Sequence, residues 1–304
     1  MQQIVDKASP EINNVGNYIF NGAGKRIRPT LFLLAASQSQ KSVTPYIDIA
    51  VAFELIHTAS LLHDDVIDQA STRRGKEAVH VRWNNKISVL TGDYFLCQAI
   101  DILSSYQDWR LMDIVTEVIR NMTVGEMEQA FANPDMPDLE KRYFNWIGKK
   151  SASFFAGCCK AGALIRDADD AEKDKWSDFG FNLGIAFQLI DDLLDYTGKV
   201  EYTGKPVHGD LSNRVLTLPL IRTRKSNNQD GLIHRLLDNE VESDLHFSEV
   251  VQAVLDSDGP KYTYQMAQDY IKRANAIIEE IEDRHSLVKE ALRNLTKDVL
   301  NRNK

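Results

Sequence analysis

Two acidic clusters in this 304-residue chain have the side chains and the spacing to bind a metal ion. The segments LLHDDVID at 61–68 and QLIDDLLD at 188–195 each place the pattern Asp-Asp-x-x-Asp after an apolar lead-in. Their carboxylates are those of Asp64, Asp65, Asp68, Asp191, Asp192 and Asp195. On a helix, residues four apart share a face, so these like charges repel each other, and near a helix C-terminus they oppose the helix dipole. One such cluster could simply be an acidic helix end exposed to solvent, but two copies with matching apolar lead-ins disfavour that interpretation. The pattern therefore predicts that each cluster binds a cation.

The ligand type indicates which cation is missing. All-carboxylate sites select hard ions, and Mg²⁺ takes one or two carboxylates while it shares its other positions with water and phosphate. Zinc would call for clusters of His or Cys, and Ca²⁺-binding loops have a different spacing. We therefore expect Mg²⁺ between the aspartates and a diphosphate.

Basic residues could bind the anion that such a metal requires. Arginine binds phosphate through paired N–H groups, and lysine acts as a point charge. The candidates are Lys25 and Arg28 in GKRIRP, Arg73 and Arg74 in TRRG, Lys150 before Ser151, Lys205 in GKP, and Arg214. Each of these clusters alone is more simply a solvated basic patch. Together with the aspartates they predict two diphosphate sites, one bridged by Mg²⁺ and one held directly by Arg and Lys.

Three further polar side chains fall near the acidic clusters. His57 lies seven residues before Asp64, and Gln188 lies three before Asp191, so each shares roughly the side of its helix that carries the aspartate. A satisfied core histidine remains an alternative for His57. His63, next to Asp64, superficially resembles the His-Asp pair of metal phosphohydrolases, but no second histidine cluster accompanies it.

Helical periodicity predicts the elements that must position these residues. Gly and Pro make up about 8% of the chain, against a usual share of roughly 12%, which favours long helices over many turns. No convincing alternating strand appears, and we expect one all-α domain of ten or more helices over residues 1–304. Apolar steps of three and four residues run through 46–68, 87–105, 109–132, 140–164, 172–196 and 267–300, the last being one amphipathic helix or a helix pair.

Composition excludes several classes of protein. The chain is 43% apolar and 26% charged, which excludes a disordered chain, and its net charge of −8 argues against a nucleic-acid partner. The low, odd number of cysteines (Cys97, Cys158 and Cys159) is typical of a reduced cytoplasmic protein. The N-terminus carries no apolar signal region, and no apolar run approaches the roughly 20 residues that span a bilayer. We therefore expect a soluble protein without a membrane span.

The chain resembles the trans-isoprenyl diphosphate synthases, the polyprenyl synthetase family. The two Asp-Asp-x-x-Asp motifs, with RRG and GKRxRP, form a highly specific set. The resemblance covers nearly the whole chain through the segments GKRIRP (24–29), ELIHTASLLHDDVID (54–68), STRRG (71–75), GDYFL (92–96), GEMEQ (125–129), KSASFF (150–155), GIAFQLIDDLLDYTG (184–198), GKPVHGDL (204–211) and LTLPL (216–220).

This resemblance implies an isoprenoid-synthase-type helical bundle around a deep central cavity. It implies a Mg²⁺-dependent transferase that condenses an allylic diphosphate with isopentenyl diphosphate, head to tail and in trans. The allylic diphosphate would bind through three Mg²⁺ ions held by Asp64, Asp68 and Asp191. The resemblance places the other functions on Asp65, Asp192, Asp195, Arg73, Lys150, Ser151, Gln188 and Lys205 for catalysis and the allylic diphosphate, and on Lys25, Arg28, His57 and Arg74 for isopentenyl diphosphate.

The product length is predicted from the residues that precede Asp64. In relatives that make short products, a bulky aromatic residue near this point closes the tunnel, whereas Ala59 and Ser60 are small. We expect a product longer than farnesyl, from hexaprenyl to decaprenyl, with a short-chain synthase as the alternative. The chain departs from many relatives at Arg214 and Val215, where they carry Gly-Lys. Two alternatives follow: the diphosphate site has one cation fewer, or Arg214 takes the place of that lysine.

The resemblance implies a dimer, and it leaves the partner open. A homodimer is expected, and a heteromer with a small regulatory chain is the alternative, in which this chain would be the catalytic one and inactive alone. Three competing functions are disfavoured. A terpene cyclase usually carries Asn, Ser and Glu in its second metal motif, a non-catalytic subunit has no need of intact aspartates, and a phosphohydrolase depends on His63 and Asp64 alone.

Overall fold

A computed structural model describes residues 1–22, 24–38, 42–198, 209–226, 231, 233, 244–281 and 286–303. The predicted all-α fold is confirmed. The helices are α1 (Gln2–Asp6), α2 (Pro10–Phe20), α3 (Ile27–Ala36), α4 (Ile47–Ile67), α5 (Val79–Arg82), α6 (Asn85–Ser104), α7 (Trp109–Ala130), α8 (Leu139–Ile147), α9 (Ser153–Leu164), α10 (Asp170–Thr197), α11 (Gly209–Ser212), α12 (Leu218–Ser226), α13 (Asp244–Asp256), α14 (Gly259–Glu280) and α15 (Ser286–Leu300). Shorter elements are the 3₁₀ turns Thr44–Tyr46 and Asn301–Asn303, the π-helix Gly148–Ala152, and the strands β1 (Thr72–Arg73) and β2 (Lys76–Glu77).

The long helix α10 lies at the centre of the bundle. It packs on α9 and α14, while α3 packs on α9 and α4 packs on α6. Two glycines of α10 permit the close approach to α9. A Cβ at Gly180 would lie 2.6 Å from the Phe155 carbonyl oxygen, and one at Gly184 would lie 2.6 Å from the Cα atom of Ala152. The α9–α10 contact therefore joins backbones directly.

Large apolar side chains fill the space between these helices. Trp176 and Phe179 of α10, Phe154 and Phe155 of α9, and Phe53 of α4 are fully buried. Burial of each such ring contributes about 1.5–3 kcal/mol. The core thus fixes the positions of α4 and α10, the two helices that end in the acidic clusters.

The end of α4 turns the chain back on itself. The amide of Asp68 donates to the Asp64 carbonyl at 2.8 Å, and Gln69, Arg74 and Gly75 then adopt positive φ angles of 50°, 53° and 74°. These conformations reverse the chain, and β1 and β2 form a minimal antiparallel pair in which Arg73 lies opposite Lys76. This pair was not predicted because two-residue strands are too short to show alternation. The reversal brings the arginines of the hairpin back beside the first acidic cluster.

The predicted helical segments correspond to observed helices, with two refinements. The segment 267–300 is a helix pair, since α14 and α15 are separate helices. The segment 140–164 is not one uniform helix, because the π-helix 148–152 separates α8 from α9. Lys205 lies outside the described residues.

Two helical stretches are long and apolar enough to cross a membrane, by length and composition alone. They cover residues 44–67 and 85–104, with mean hydropathies of 1.3 and 1.2. The buried core helix of a soluble protein meets the same criteria, and 56% of the first stretch and 33% of the second are buried inside the fold. These helices are therefore weak evidence for a membrane span.

Candidate active site

The first acidic cluster uses its middle carboxylate to hold an arginine. Asp65 is 2% exposed, and the Arg73 guanidinium donates to its Oδ1 from Nε at 2.7 Å and also from Nη2. Two donors of one guanidinium fix the Arg73 side chain firmly. Asp65 therefore positions a cationic group, while Asp64, the neighbouring carboxylate, stays partly exposed.

Asp64 lies in a field of opposing charges. Burial, together with Glu126 and Asp68, raises the pKa of Asp64 to about 7, although Lys150 and Arg73 oppose this shift. Carboxyl groups that repel each other in a partly dry site gain most from a bound cation. The electrostatics of this cluster thus fit the predicted metal site.

Lys150 reaches this cluster from the π-helix. Its Nζ lies 2.5 Å from Glu126 Oε2 and 3.2 Å from Gln129 Oε1, both on α7. Burial disfavours its charge, but Glu126 and Asp64 outweigh that effect and raise the pKa of Lys150 above its ordinary value. The opposing residue is Gly125, where a Cβ would lie 2.5 Å from the Lys150 amide nitrogen. A side chain at position 125 would push the π-helix away from α7, so the glycine permits the observed position of Lys150.

The second acidic cluster also buries its middle carboxylate. Tyr143 donates its hydroxyl to Asp192 Oδ2 at 2.5 Å, and Gln188 Nε2 donates to Asp192 Oδ1 at 2.7 Å. Ser151 then donates to Gln188 Oε1 at 2.6 Å. Burial and nearby Asp210 raise the pKa of Asp192 to about 7, and these hydrogen bonds oppose the shift. The chain of bonds orients the Gln188 amide and links it to the turn that carries Lys150.

The other two carboxylates of this cluster have different partners. Asp195 accepts from the amides of Gly209 at 2.9 Å and Asp210 at 3.1 Å, so it fixes the start of α11. Burial raises the pKa of Asp195 to about 6, against the effect of those amides. Asp191 pairs with Arg302 of the turn after α15, at 2.6 Å.

A separate cluster of basic side chains, which we call the basic pocket, lies where α3, α4 and α9 meet. The Arg28 guanidinium carbon lies 4.9 Å from the ring centroids of both Phe154 and Phe155, and Arg28 Nη1 donates to His57 Nε2 at 3.2 Å. Burial lowers the pKa of Arg28, and Glu54 counteracts this. Among the described residues, Arg28 Nε and Glu54 Oε2 are buried without a hydrogen-bond partner. These groups fit a pocket built for a polar ligand.

The remaining cations of this pocket are placed less deeply. A Cβ at Gly24 would lie 3.0 Å from Arg74 Nη1, which brings the GKRIRP segment and the hairpin together. Lys25 is exposed. Burial raises the pKa of Glu54, while Arg28, Arg74 and Arg26 lower it. His57 contacts Arg28, and its role in a ligand site stays a prediction.

One cleft is lined by residues of both acidic clusters. Asp68 and Asp192 share it with Lys150 and Gln188. Val215 adds an apolar side chain to the wall, so the position where many relatives carry Lys supplies no cation here. Arg214 has a φ of 58°, in the left-handed region that favours glycine.

The donor set fits a metal that is shared with a ligand. In the described part of the chain, no group of three or more His, Cys, Asp or Glu residues is close enough to hold a metal ion alone. A zinc or calcium cage would need such a group, whereas Mg²⁺ takes few carboxylates and completes its shell with water and phosphate. Asp64, Asp68 and Asp191 are the carboxylates that do not serve as buried anchors, which fits the predicted ligand set.

Four residues near the clusters were not predicted as site residues: Glu54, Glu126, Tyr143 and Arg302. The segments quoted from the sequence contain Glu54 and Glu126, so spacing could have suggested them. Tyr143 and Arg302 lie 49 and 111 residues from their aspartates, and no local pattern points to either. Ala59 is buried and Ser60 is partly exposed, one turn before Asp64.

Comparisons with known proteins agree with this geometry. The polyprenyl synthetase family model matches residues 9–254. The chain is 34% identical to octaprenyl diphosphate synthase of Escherichia coli over 276 residues, covering 90% of this chain and 84% of the relative. It is 30% identical to heptaprenyl diphosphate synthase component 2 of Bacillus subtilis over 274 residues, covering 90% and 78%.

Solved structures show the same fold. A polyprenyl synthase of Caulobacter crescentus, complexed with calcium and isoprenyl diphosphate, aligns with a TM-score of 0.93 at 29% identity over 100% of this chain and 92% of that one. Heptaprenyl diphosphate synthase of Staphylococcus aureus aligns at 0.91 and 29% identity, over 100% and 96%. The chain belongs to the polyprenyl synthetase family, as its motifs predicted.

Proposed function

We propose that this chain is a trans-prenyltransferase that condenses an allylic diphosphate with isopentenyl diphosphate to give a medium- or long-chain polyprenyl diphosphate. The observation that carries the proposal is a cleft that is lined by Asp68 of one acidic cluster, by Asp192 of the other and by Lys150. A metal-bridged diphosphate needs carboxylates and a cation around one space. The relatives named as heptaprenyl and octaprenyl diphosphate synthases support the same reaction.

The allylic diphosphate would bind at the acidic clusters. Asp64, Asp68 and Asp191 would hold Mg²⁺, with three ions in the substrate-bound site, and the metal would stabilise negative charge on the leaving diphosphate. Lys150 and Arg73 would bind the outer diphosphate oxygens, as would Lys205 outside the described residues. Their positions are set by Glu126 and Asp65, so the cations need little reorganisation when charge develops.

Isopentenyl diphosphate would bind in the basic pocket, to Lys25, Arg28, His57 and Arg74. Arg28 is fixed between two aromatic rings, so its N–H groups are oriented before the ligand arrives. Heterolysis of the allylic C–O bond releases diphosphate and an allylic cation. The isopentenyl double bond attacks that cation, and the released diphosphate accepts the proton that restores a double bond. Apolar walls exclude the water that would trap the cation.

The tunnel for the growing chain would run from Asp64 past Ser60 and Ala59. Neither side chain is bulky, and Ser60 remains partly exposed on the side of α4 that carries Asp64. This supports a product longer than farnesyl. Ala59→Phe should shorten the products, whereas Ser60→Ala, which keeps the space, should not.

The whole chain would act as one catalytic domain in a cytoplasmic homodimer. Exposed apolar side chains on α6 and α7, among them Leu90, Ile100 and Met127, support a second copy as the partner. One relative is named as component 2 of its synthase, which supports a small regulatory chain as the alternative partner.

Product analysis tests this function. The purified chain is incubated with Mg²⁺, farnesyl diphosphate and labelled isopentenyl diphosphate, and the dephosphorylated products are sized. A ladder that ends above four isoprene units is expected. A ladder that stops at farnesyl or geranylgeranyl would contradict the tunnel, and the absence of any product would contradict activity of the chain alone.

A further inference from the structure

Arg302 is an arginine of the 3₁₀ turn after α15 that contacts the second acidic cluster. Its Nη1 donates to Asp191 Oδ1 at 2.6 Å, and its guanidinium carbon lies 4.3 Å from the centroid of the Phe187 ring. Phe187 lies four residues before Asp191 on α10, so the ring and the carboxylate share a face of that helix. Arg302 is thus held at this face by a charge and by an aromatic surface.

This contact differs from the other arginine–carboxylate contact at an acidic cluster. Arg73 donates twice to Asp65, which is 2% exposed, and both lie within one short stretch of chain. Arg302 donates once to Asp191, whose side chain is 36% exposed, and it comes from a turn 111 residues away. A single, solvent-accessible ion pair is weak and exchangeable. The ion pair between Arg302 and Asp191 is therefore one that can break and re-form.

Asp191 is also a carboxylate that the proposed function gives to the metal. A guanidinium and a divalent cation compete for the same oxygen, because each needs the lone pairs of Oδ1. We propose that Arg302 is the counter-cation of Asp191 in the metal-free enzyme, and that a divalent cation must displace it, and with it the turn 301–303, to bind there. This inference rests on the proposed function, which supplies the metal.

Two consequences follow by linkage, because competition acts in both directions. Removal of Arg302 should tighten metal binding, and metal binding should loosen the turn that carries Arg302. Neither consequence is expected if the pair is only a structural link between α15 and α10. In that case, loss of Arg302 would lower stability and leave the metal affinity unchanged.

Metal affinity is the first test, with Mn²⁺ alone as the probe and the free Mn²⁺ signal in electron paramagnetic resonance as the readout. Arg302→Met should bind Mn²⁺ about fivefold more tightly than the wild type. Arg302→Lys, which keeps the charge, should stay closer to the wild type. The matched control is Arg293→Met on α15, which removes the 2.7 Å pair with Glu279 of α14 and should leave the affinity unchanged. Equal affinities in Arg302→Met and wild type, or no binding in either, would overturn the inference.

Amide hydrogen exchange is the second test. Saturating Mg²⁺ should increase exchange in residues 293–303 of the wild type and of Arg293→Met, and should change it little in Arg302→Met. Increased protection of these residues would overturn the displacement. Wild-type product formation is measured in parallel, so that an active enzyme with unchanged Mn²⁺ affinity refutes only the role of Arg302, whereas an inactive one contradicts the proposed activity of the chain alone.

Discussion

The two acidic clusters carry the same sequence pattern and differ in what surrounds each carboxylate. At the end of α4, the middle residue Asp65 binds Arg73, Asp68 lines the cleft, and Asp64 stays partly exposed. At the end of α10, the first residue of the cluster, Asp191, pairs with Arg302. Asp192 is buried and accepts a hydrogen bond from Tyr143, and Asp195 accepts one from the amide at the start of α11. The first cluster therefore offers two carboxylates to a metal, and the second offers one.

This difference shows that the motif assigns roles by position and by partner. In both clusters the middle aspartate is buried and orients another functional side chain, Arg73 in one case and Gln188 in the other. A buried carboxylate with several donors is an anchor whose loss leaves those donors unpaired. The third aspartate separates the clusters, because Asp68 lines the cleft and Asp195 caps a helix.

The largest expected effect comes from the first aspartate of each cluster. Asp64→Ala and Asp191→Ala should each reduce kcat by about a thousandfold or more, because each removes a ligand of the metal that stabilises the leaving diphosphate. Steady-state turnover with labelled isopentenyl diphosphate measures the loss. Asp174→Ala on α10, the helix of Asp191, is the control. The Asp174 side chain is 70% exposed, and Asp174 is distant from Asp191 along the helix. Retained turnover in both cluster variants would contradict the metal assignment.

Replacement of the third aspartate should reduce activity in the first cluster and stability in the second. Asp68→Ala should reduce kcat by roughly a hundredfold with little change in the free energy of unfolding, because Asp68 belongs to the cleft. Asp195→Ala should instead lower the free energy of unfolding by about 1–2 kcal/mol, because it removes the hydrogen-bond acceptor of the Gly209 and Asp210 amides.

Chemical denaturation and turnover, measured on both variants, separate the two effects. The Asp195→Ala enzyme should keep more activity than Asp68→Ala at a temperature where both are folded. If the two variants instead lost the same activity and the same stability, the clusters would be equivalent, and the distinction drawn from their third residues would be wrong.

The sequence predicts the fold class, the long helices and the acidic clusters, because these depend on local periodicity and spacing. It does not distinguish the roles within a cluster. Asp64 and Asp65 are adjacent and chemically identical, and their roles differ only because Arg73 returns to Asp65 through the turn after α4. The partners of the second cluster are distant in sequence, so Tyr143 and Arg302 have no local signal. The π-helix around Lys150 is likewise set by packing against Gly125 on another helix.

The smallest expected effect is a pH dependence of stability that the first cluster creates in metal-free protein. Burial raises the pKa of Asp64 to about 7, whereas an unfolded aspartate has a pKa near 3.9. Between these values the folded state binds more protons than the unfolded state, so this group's contribution to stability falls as the pH rises from about 4 to about 7.

Asp64→Asn lacks this titration, so the difference between the variant and the wild type tests it. The free energy of unfolding of Asp64→Asn, relative to wild type in chelator, should rise by about 1 kcal/mol between pH 6 and pH 7. Asp174→Asn on α10 should show no such trend. Asp192, whose pKa is also raised to about 7, titrates in the wild type and in Asp64→Asn alike, so subtraction isolates the first cluster. If the difference in free energy of unfolding did not change with pH, Asp64 would ionise freely without metal. The first cluster would then have no greater electrostatic need for a cation than an exposed carboxylate has.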